Sequence, residues 1–212
     1  MAEYIDATTP INLSLPVWPG DPSPGVHLKM DMEKGDVCNL TEISFTVHTG
    51  THMDAPRHFL SDGCTVEELP LWVFDGPCFV ADLGNVEGEI LPKHLEGIPN
   101  CQRLVLRTSN TARRLLHQSD FQKDFCSIGL EAALEIVRRA IRLVGIDYLS
   151  IERSNPPIPE VHQAILGAGI VAVEGLELSR FTPGWWKLSC FPLNLPGVEG
   201  SPVRAVFSSL GG

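Results

Sequence analysis

The sequence predicts an α/β fold in which a mixed sheet is accompanied by few helices. A helix is predicted over residues 128–144, where apolar residues recur every three or four positions, and a strand follows at 146–151. A shorter helix at 160–166 is in turn followed by an apolar strand at 170–173. The remaining apolar segments are too short for helices, which makes strands the more numerous elements.

The first half of the chain is predicted to consist of strands and turns. Residues 10–25 are rich in proline and glycine and are predicted to form a loop. In the segment that includes Ile43, Phe45 and Val47, apolar and polar residues alternate as in a half-buried strand. The strands predicted in this half cover residues 26–32, 40–47, 78–83 and 103–108.

The long helix in the second half has a start signal, an apolar stripe and a stop signal. Ser127 is the expected N-cap, and Gly145 is the expected end. The stripe that would face the core consists of Leu130, Leu134, Val137, Ile141 and Val144. In the shorter helix, Pro159 suits the first turn, and Gly167 and Gly169 close it.

Composition narrows the possible functions. The 212 residues are 43% hydrophobic and 20% charged, which is typical of one globular domain spanning 1–212. The formal charge of −10 argues against nucleic acid and anionic membrane surfaces as partners. The first residues have no basic region followed by an apolar run, so neither an export signal nor a membrane span is expected. The six cysteines form no C-x-x-C pair and are expected to be reduced thiols in a cytoplasmic protein.

Residues 48–58, HTGTHMDAPRH, are the strongest candidate for a functional site. Side chains of an extended chain alternate between two faces, so His48, His52 and Asp54 are predicted to project from one face. Three nitrogen and oxygen ligands of this kind suit zinc or manganese in a catalytic site. The alternative, a polar strand edge with scattered histidines, does not account for so many potential ligands at even spacing.

The same stretch resembles the H-x-G-T-H-x-D-x-P-x-H signature of the cyclase-like metal-dependent hydrolases, which include bacterial kynurenine formamidase and isatin hydrolase. The closing G-S-P-x-R-A segment at 200–205 is also similar, so the resemblance extends over nearly the whole chain. It implies a swivelling β/β/α arrangement, and a homodimer or homotetramer. It also implies a divalent metal, with zinc expected before manganese, and room for two ions per chain.

The resemblance extends to residues outside the signature. It implies that His162 and Glu174 complete a second metal position, although the two residues alone fit a buried histidine and a salt-bridged glutamate better. Many relatives have a His-His pair where this chain has His162-Gln163, which leaves the second histidine's contacts unassigned. Trp18, in an aromatic-Pro-Gly-Asp-Pro element, is implied to contact the substrate, whereas the indole alone fits packing as well.

His58 is predicted to be the general acid and base rather than a ligand, because an imidazole with a pKa near 6.5 suits proton transfer. The predicted reaction is hydrolysis of a C–N amide bond in a small molecule. The resemblance implies an aryl formamide such as N-formylkynurenine, with formate and a free amine as products. Ring opening of a cyclic amide such as isatin is the alternative, and a metal-binding protein without turnover is an alternative of another class.

Overall fold

The computed structural model describes residues 3–210, and its fold is built around one nine-stranded mixed sheet. Three short α-helices and two small two-stranded ribbons accompany the sheet. The strands are β1 Tyr4–Asp6, β2 Gly25–Met30, β3 Leu40–Ser44, β4 His52–Asp54, β5 Asp75–Leu83, β6 Glu89–Ile90, β7 Arg103–Thr108, β8 Ser127–Ile128, β9 Leu143–Ile146, β10 Val171–Glu174, β11 Gly184–Ser189, β12 Gly200–Pro202 and β13 Val206–Ser208. The helices are α1 Ser109–Ala112, α2 Leu130–Arg138 and α3 Glu160–Gly167. The predicted α/β class with few helices is confirmed.

The strand order in the sheet is β1-β13-β11-β5-β7-β9-β10-β4-β12. Strands β5, β7, β9 and β10 run parallel, and β7, β9 and β10 are buried nearly throughout, as expected for strands covered on both faces. The antiparallel strands β4 and β12 extend the sheet on one side. Strand β4 carries His52 and Asp54, two of the candidate site residues.

The helices cover one face of the sheet. Ala132, Ala133 and Ile136 of α2 and Ile165 of α3 pack with buried residues of β7 and β9. On the opposite face, a second apolar cluster joins the central strands to the flanking antiparallel strands. Within residues 3–210, none of the helices has the length and apolar character that a membrane crossing requires.

The long helix predicted over residues 128–144 is wrong at both ends. Ser127 belongs to β8, the N-cap is Gly129, and α2 ends at Arg138. Ala140 then adopts a left-handed conformation at φ 54°, and the chain turns into β9. Alanine is not a helix-stop signal, and the apolar residues of β9 happened to continue the helical spacing. The buried side of α2 also differs from the predicted stripe, because Leu134 is 46% exposed.

Two further strands differ from the sequence prediction, one in its position and the other in its length and burial. The strand predicted at 146–151 ends at Ile146, and residues 147–151 form a loop that enters the functional site. The strand predicted at 40–47 ends at Ser44 and pairs with β2 as an exposed ribbon. Its alternation therefore does not mark a half-buried surface of this chain. The strand at 103–108 has the predicted bounds.

Candidate metal centre

The candidate site lies where β4, β10, α3 and the turn before β4 meet. His52 and Asp54 lie on β4, and antiparallel pairing places Glu174 of β10 directly opposite His52. His162 lies on α3, which packs beside β10. Pairing of distant segments, rather than one continuous strand, therefore brings these residues together.

His48 reaches the site from a turn, not from the strand that its spacing predicted. Residues 47–51 are not part of β4, and Gly50 has a φ of 69°. His48 Nδ1 lies 3.0 Å from Asp54 Oδ1, and the imidazole is stacked on His58 with 3.9 Å between ring centroids. A Cβ on Gly200 of β12 would lie 2.7 Å from His48 Cε1, so only glycine leaves room for this ring.

There is also a steric reason why a glycine follows Glu174 at the end of β10. Gly175 has a φ of 70°, and a Cβ there would collide with the carbonyl of Gly50. Thr51 Oγ1 donates a hydrogen bond of 2.6 Å to the Gly175 carbonyl and fixes this close approach. Glycine at position 175 thus lets the turn before β4 lie against the end of β10.

Apart from the 3.0 Å contact between His48 Nδ1 and Asp54 Oδ1, the nitrogen and oxygen atoms of the site converge at distances too long for good hydrogen bonds with one another. His52 Nε2 lies 3.5 Å from Asp54 Oδ1 and 3.3 Å from Glu174 Oε2. His162 Nε2 lies 3.4 Å from Glu174 Oε1 and 3.8 Å from Asp54 Oδ2. Two ligands of one tetrahedral zinc, each at about 2.0–2.2 Å, lie roughly 3.3–3.6 Å apart. Three of the four separations, 3.5, 3.3 and 3.4 Å, lie in that range and suit atoms that share an ion.

Hydrogen bonds on the far side of two rings direct the free nitrogen into the site. His52 Nδ1 lies 3.0 Å from the Gly50 carbonyl, and His162 Nδ1 lies 2.7 Å from Glu152 Oε2. Because both partners are acceptors, Nδ1 must donate in each case. In a neutral ring the Nε2 lone pair then faces the carboxylates, which is the usual arrangement of metal-binding histidines.

Two atoms of the cluster are buried without a hydrogen bond. Among residues 3–210, Asp54 Oδ2 and His48 Nε2 have no hydrogen-bond partner. Leaving a buried carboxylate oxygen unpaired is costly, so its retention indicates that another group satisfies it. A divalent cation fits this requirement and the donor set.

The potential ligands form two groups that share Asp54. One consists of His52, Asp54 and Glu174, and the other of His48, Asp54 and His58, with the ligand atoms of each group within 4.8 Å of one another. The second group includes His58, which the sequence analysis assigns to proton transfer. His58 therefore lies close enough to His48 and Asp54 to act either as a metal ligand or as the proton-transfer group.

The carboxylates control the protonation of the histidines in the absence of a metal. Burial opposes the charged imidazolium, but the bond to Glu174 and the charge of Asp54 outweigh it and raise the pKa of His52 to about 9. Burial is similarly outweighed at His162, where Glu152 and Glu174 raise the pKa to about 10. At His58 burial prevails and lowers the pKa, so this imidazole is neutral at pH 7 and able to accept a proton.

The four histidines of the cluster and Glu174 line a cavity of about 430 Å³, whereas Asp54 is fully buried. Trp18 lines this cavity and contacts Phe121 edge-on, with 4.9 Å between ring centroids, so the indole is both packed and available to a ligand. Of the remaining wall, Leu149, Pro156 and Phe59 are apolar. Such an apolar cavity with polar groups at its base is typical of a small-molecule site.

Glu152 is a residue of this site that the sequence analysis missed. It is 4% exposed and accepts bonds from the backbone of Val161 and His162 as well as from the His162 ring. The sequence shows only an acid at the start of a proline-rich loop. Its position ten residues before His162 gives no signal, because the contact depends on how the loop folds over α3.

The arrangement of buried carboxylates and imidazoles at the base of a cavity, with one oxygen left unpaired, defines a metal-dependent enzyme. The Cyclase family matches residues 5–153 of the chain. A kynurenine formamidase of Bacillus cereus is 32% identical over 209 residues, which cover 97% of each protein. The chain therefore belongs to the Cyclase family, as its signature indicated.

Two solved structures share the fold. A potential metal-dependent hydrolase with cyclase activity superposes with a TM-score of 0.86 at 28% identity, over 100% of both chains. Isatin hydrolase A from Labrenzia aggregata, bound to benzyl benzoate, has a TM-score of 0.86 at 23% identity and covers 99% of this chain and 94% of its own. At that identity the second likeness concerns the fold alone.

Proposed function

We propose that the protein hydrolyses the C–N bond of small aryl formamides, of which N-formylkynurenine is the first candidate. The observation that carries the proposal is the convergence of His52, Asp54, Glu174 and His162 at the base of a cavity lined by Trp18. Similarity to a kynurenine formamidase over nearly the full length supports the formamide as substrate. Family membership favours an enzyme over a metal-binding protein without turnover.

The proposed ligands are His48, His52, Asp54, His162 and Glu174, which hold zinc or manganese, with Asp54 available to two ions. A divalent ion held there supplies polarisation of the amide carbonyl and activation of the attacking water. Glu152 and the Gly50 carbonyl orient two of the imidazoles. The number of ions, an oligomer of two or four chains, and a cytoplasmic location remain predictions.

In the proposed reaction His58 transfers the proton. Neutral His58 accepts it from the attacking water and donates it to the leaving nitrogen, which departs as an amine rather than as a poor anionic leaving group. The C–N bond breaks as the water oxygen bonds to the formyl carbon, so the products are formate and the free amine. In this proposal Trp18, which lines the cavity, stacks on the aryl ring.

The test joins metal analysis to a small substrate panel. The purified protein is loaded with zinc or manganese and incubated with N-formylkynurenine, formanilide and isatin, and the products are quantified. Hydrolysis of the formamides that disappears in Asp54→Asn supports the proposal. Ring opening of isatin alone would show the cyclic-amide alternative, whereas metal binding with no turnover of any substrate would contradict both.

A further inference from the structure

Hydrogen bonds orient three of the four histidines in the site, but not His58. In His48, His52 and His162, the Nδ1 atom lies between 2.7 Å and 3.0 Å from an oxygen atom of the protein. Neither ring nitrogen of His58 has a hydrogen bond or an ion pair with any of residues 3–210. Both nitrogens are therefore available for proton transfer, but no polar partner sets the orientation of the ring.

The backbone at His58 is fixed by a short helical turn that begins at Pro56. The His58 N–H donates a 2.9 Å bond to the Ala55 carbonyl, and the Leu60 N–H donates a 3.0 Å bond to the Pro56 carbonyl. These bonds fix the position of the His58 Cα atom but not the side-chain torsions of the imidazole. The orientation of the ring must therefore come from the side chains around it.

Those neighbours are aromatic rings. Besides the stacked ring of His48, Phe59 contacts the His58 imidazole at an interplanar angle of 68°, with 4.3 Å between ring centroids. Phe59 is itself stacked on His162, with 4.2 Å between centroids and an angle of 23°. Because Glu152 holds the His162 ring, Phe59 lies against a fixed surface and restrains His58 in turn.

We propose that Phe59 is a positioning residue, which holds the His58 imidazole in the cavity wall in the orientation needed for proton transfer. The inference rests on the proposed function, in which His58 is the proton-transfer group. Without Phe59 the imidazole would be free to turn away from the attacking water, and a misplacement of about 1 Å can lower a rate about 10²-fold. The alternative is that Phe59 only packs against the apolar cluster between the helices and the sheet.

The first experiment measures kinetics and metal content on the same preparations. Metal-loaded wild type, Phe59→Ala and Phe59→Tyr are assayed with N-formylkynurenine and formanilide. We expect Phe59→Ala to lower kcat about 10–100-fold for both substrates at unchanged metal content, since only part of the general acid–base contribution is lost. Phe59→Tyr retains the ring and should retain most of the wild-type kcat. A raised KM with unchanged kcat in Phe59→Ala would show that Phe59 only contacts the substrate, and would overturn the proposal.

Two comparisons test whether the effect acts through His58. In the His58→Asn background, Phe59→Ala should cause no further loss of kcat, because the group that it positions is absent. Phe79→Ala is the matched control, since Phe79 packs against the same apolar cluster and lies edge-on to Trp185, outside the cavity. It should lower stability to urea and leave kcat unchanged. A full additional loss in the double variant, or a loss of kcat in Phe79→Ala that matches its loss of stability, would reduce Phe59 to a packing role.

A measurement of ring orientation separates this inference from the proposed reaction. In zinc-loaded protein with isotope-labelled histidine, nuclear Overhauser contacts between the rings of His58 and His48 report the orientation without turnover. Loss of these contacts in Phe59→Ala, but not in Phe79→Ala, supports the positioning role even if no formamide is hydrolysed. Unchanged contacts in Phe59→Ala would reject that role even if formanilide is a good substrate.

Discussion

Replacing Glu152 should weaken metal binding without touching any of the proposed ligands. The carboxylate accepts 3.0 Å and 3.3 Å bonds from the backbone of Val161 and His162, and a 2.7 Å bond from His162 Nδ1. In Glu152→Ala these buried N–H groups lose their partner, and the His162 ring becomes free to rotate or to change tautomer. Its Nε2 atom would then no longer be held toward Glu174 and Asp54.

The size of the effect follows from the number and burial of the bonds. Breaking a buried, charged hydrogen-bond network typically costs about 3–5 kcal/mol of unfolding free energy. Removing a group that orients a metal-binding histidine lowers metal affinity about 10–100-fold. Glu152→Gln keeps one oxygen for the His162 ring, so we expect a smaller loss of stability and an affinity between those of Glu152→Ala and the wild type.

The assay is competition with a chromophoric chelator at pH 7, with urea unfolding of the metal-free proteins alongside. Glu160→Gln is the matched control, because Glu160 is exposed on the same helix and makes no side-chain bond within residues 3–210. Unchanged metal affinity in Glu152→Ala, at a temperature where the variant is folded, would refute the orienting role. A loss of stability alone would show that Glu152 only supports the loop.

Three further predictions concern the site. His58→Asn should retain metal while kcat falls about 10²–10⁴-fold, because the proton-transfer group is lost; parallel loss of metal and activity would instead make His58 a ligand. Trp18→Ala should raise KM several-fold for aryl formamides and less for aliphatic ones, because stacking contributes about 0.5–1.5 kcal/mol; equal loss for both substrate types would indicate packing alone. In the metal-free protein, the raised pKa values of His52 and His162, about 9 and about 10, stabilise the fold below the unfolded value of 6.5, and this stability should be lost as the pH rises from there toward 10. Urea unfolding from pH 6 to pH 10 measures that decline, and a flat profile would contradict the protonation of these rings; saturating zinc should also flatten it, because ligating imidazoles are neutral.

The accuracy of the secondary-structure prediction differs from one element to another. The strand at 103–108 is predicted without error, and α3 is predicted to within one residue, because each has local start and stop signals. Helix α2 is overpredicted because Ala140, rather than a glycine, takes the left-handed position that ends it. The β2–β3 ribbon is exposed although its alternating pattern predicted a half-buried strand, because the pattern does not specify what packs against the strand.

The sequence by itself determined the mixed α/β class, and its spacing indicated His48, His52, Asp54 and His58, because spacing and residue type are local properties. His162 and Glu174 were indicated only through the family resemblance. Only the tertiary structure shows that the potential ligands form two groups that share Asp54. The antiparallel register of β10 on β4 places Glu174 opposite His52. The turn at Gly50 and the short helical turn at Pro56–His58 bring His48 and His58 together beside Asp54. The contact of Glu152 with His162 depends on how the loop that leads into α3 folds. Such contacts are set by long-range packing, for which the spacing of residues along the chain contains no signal.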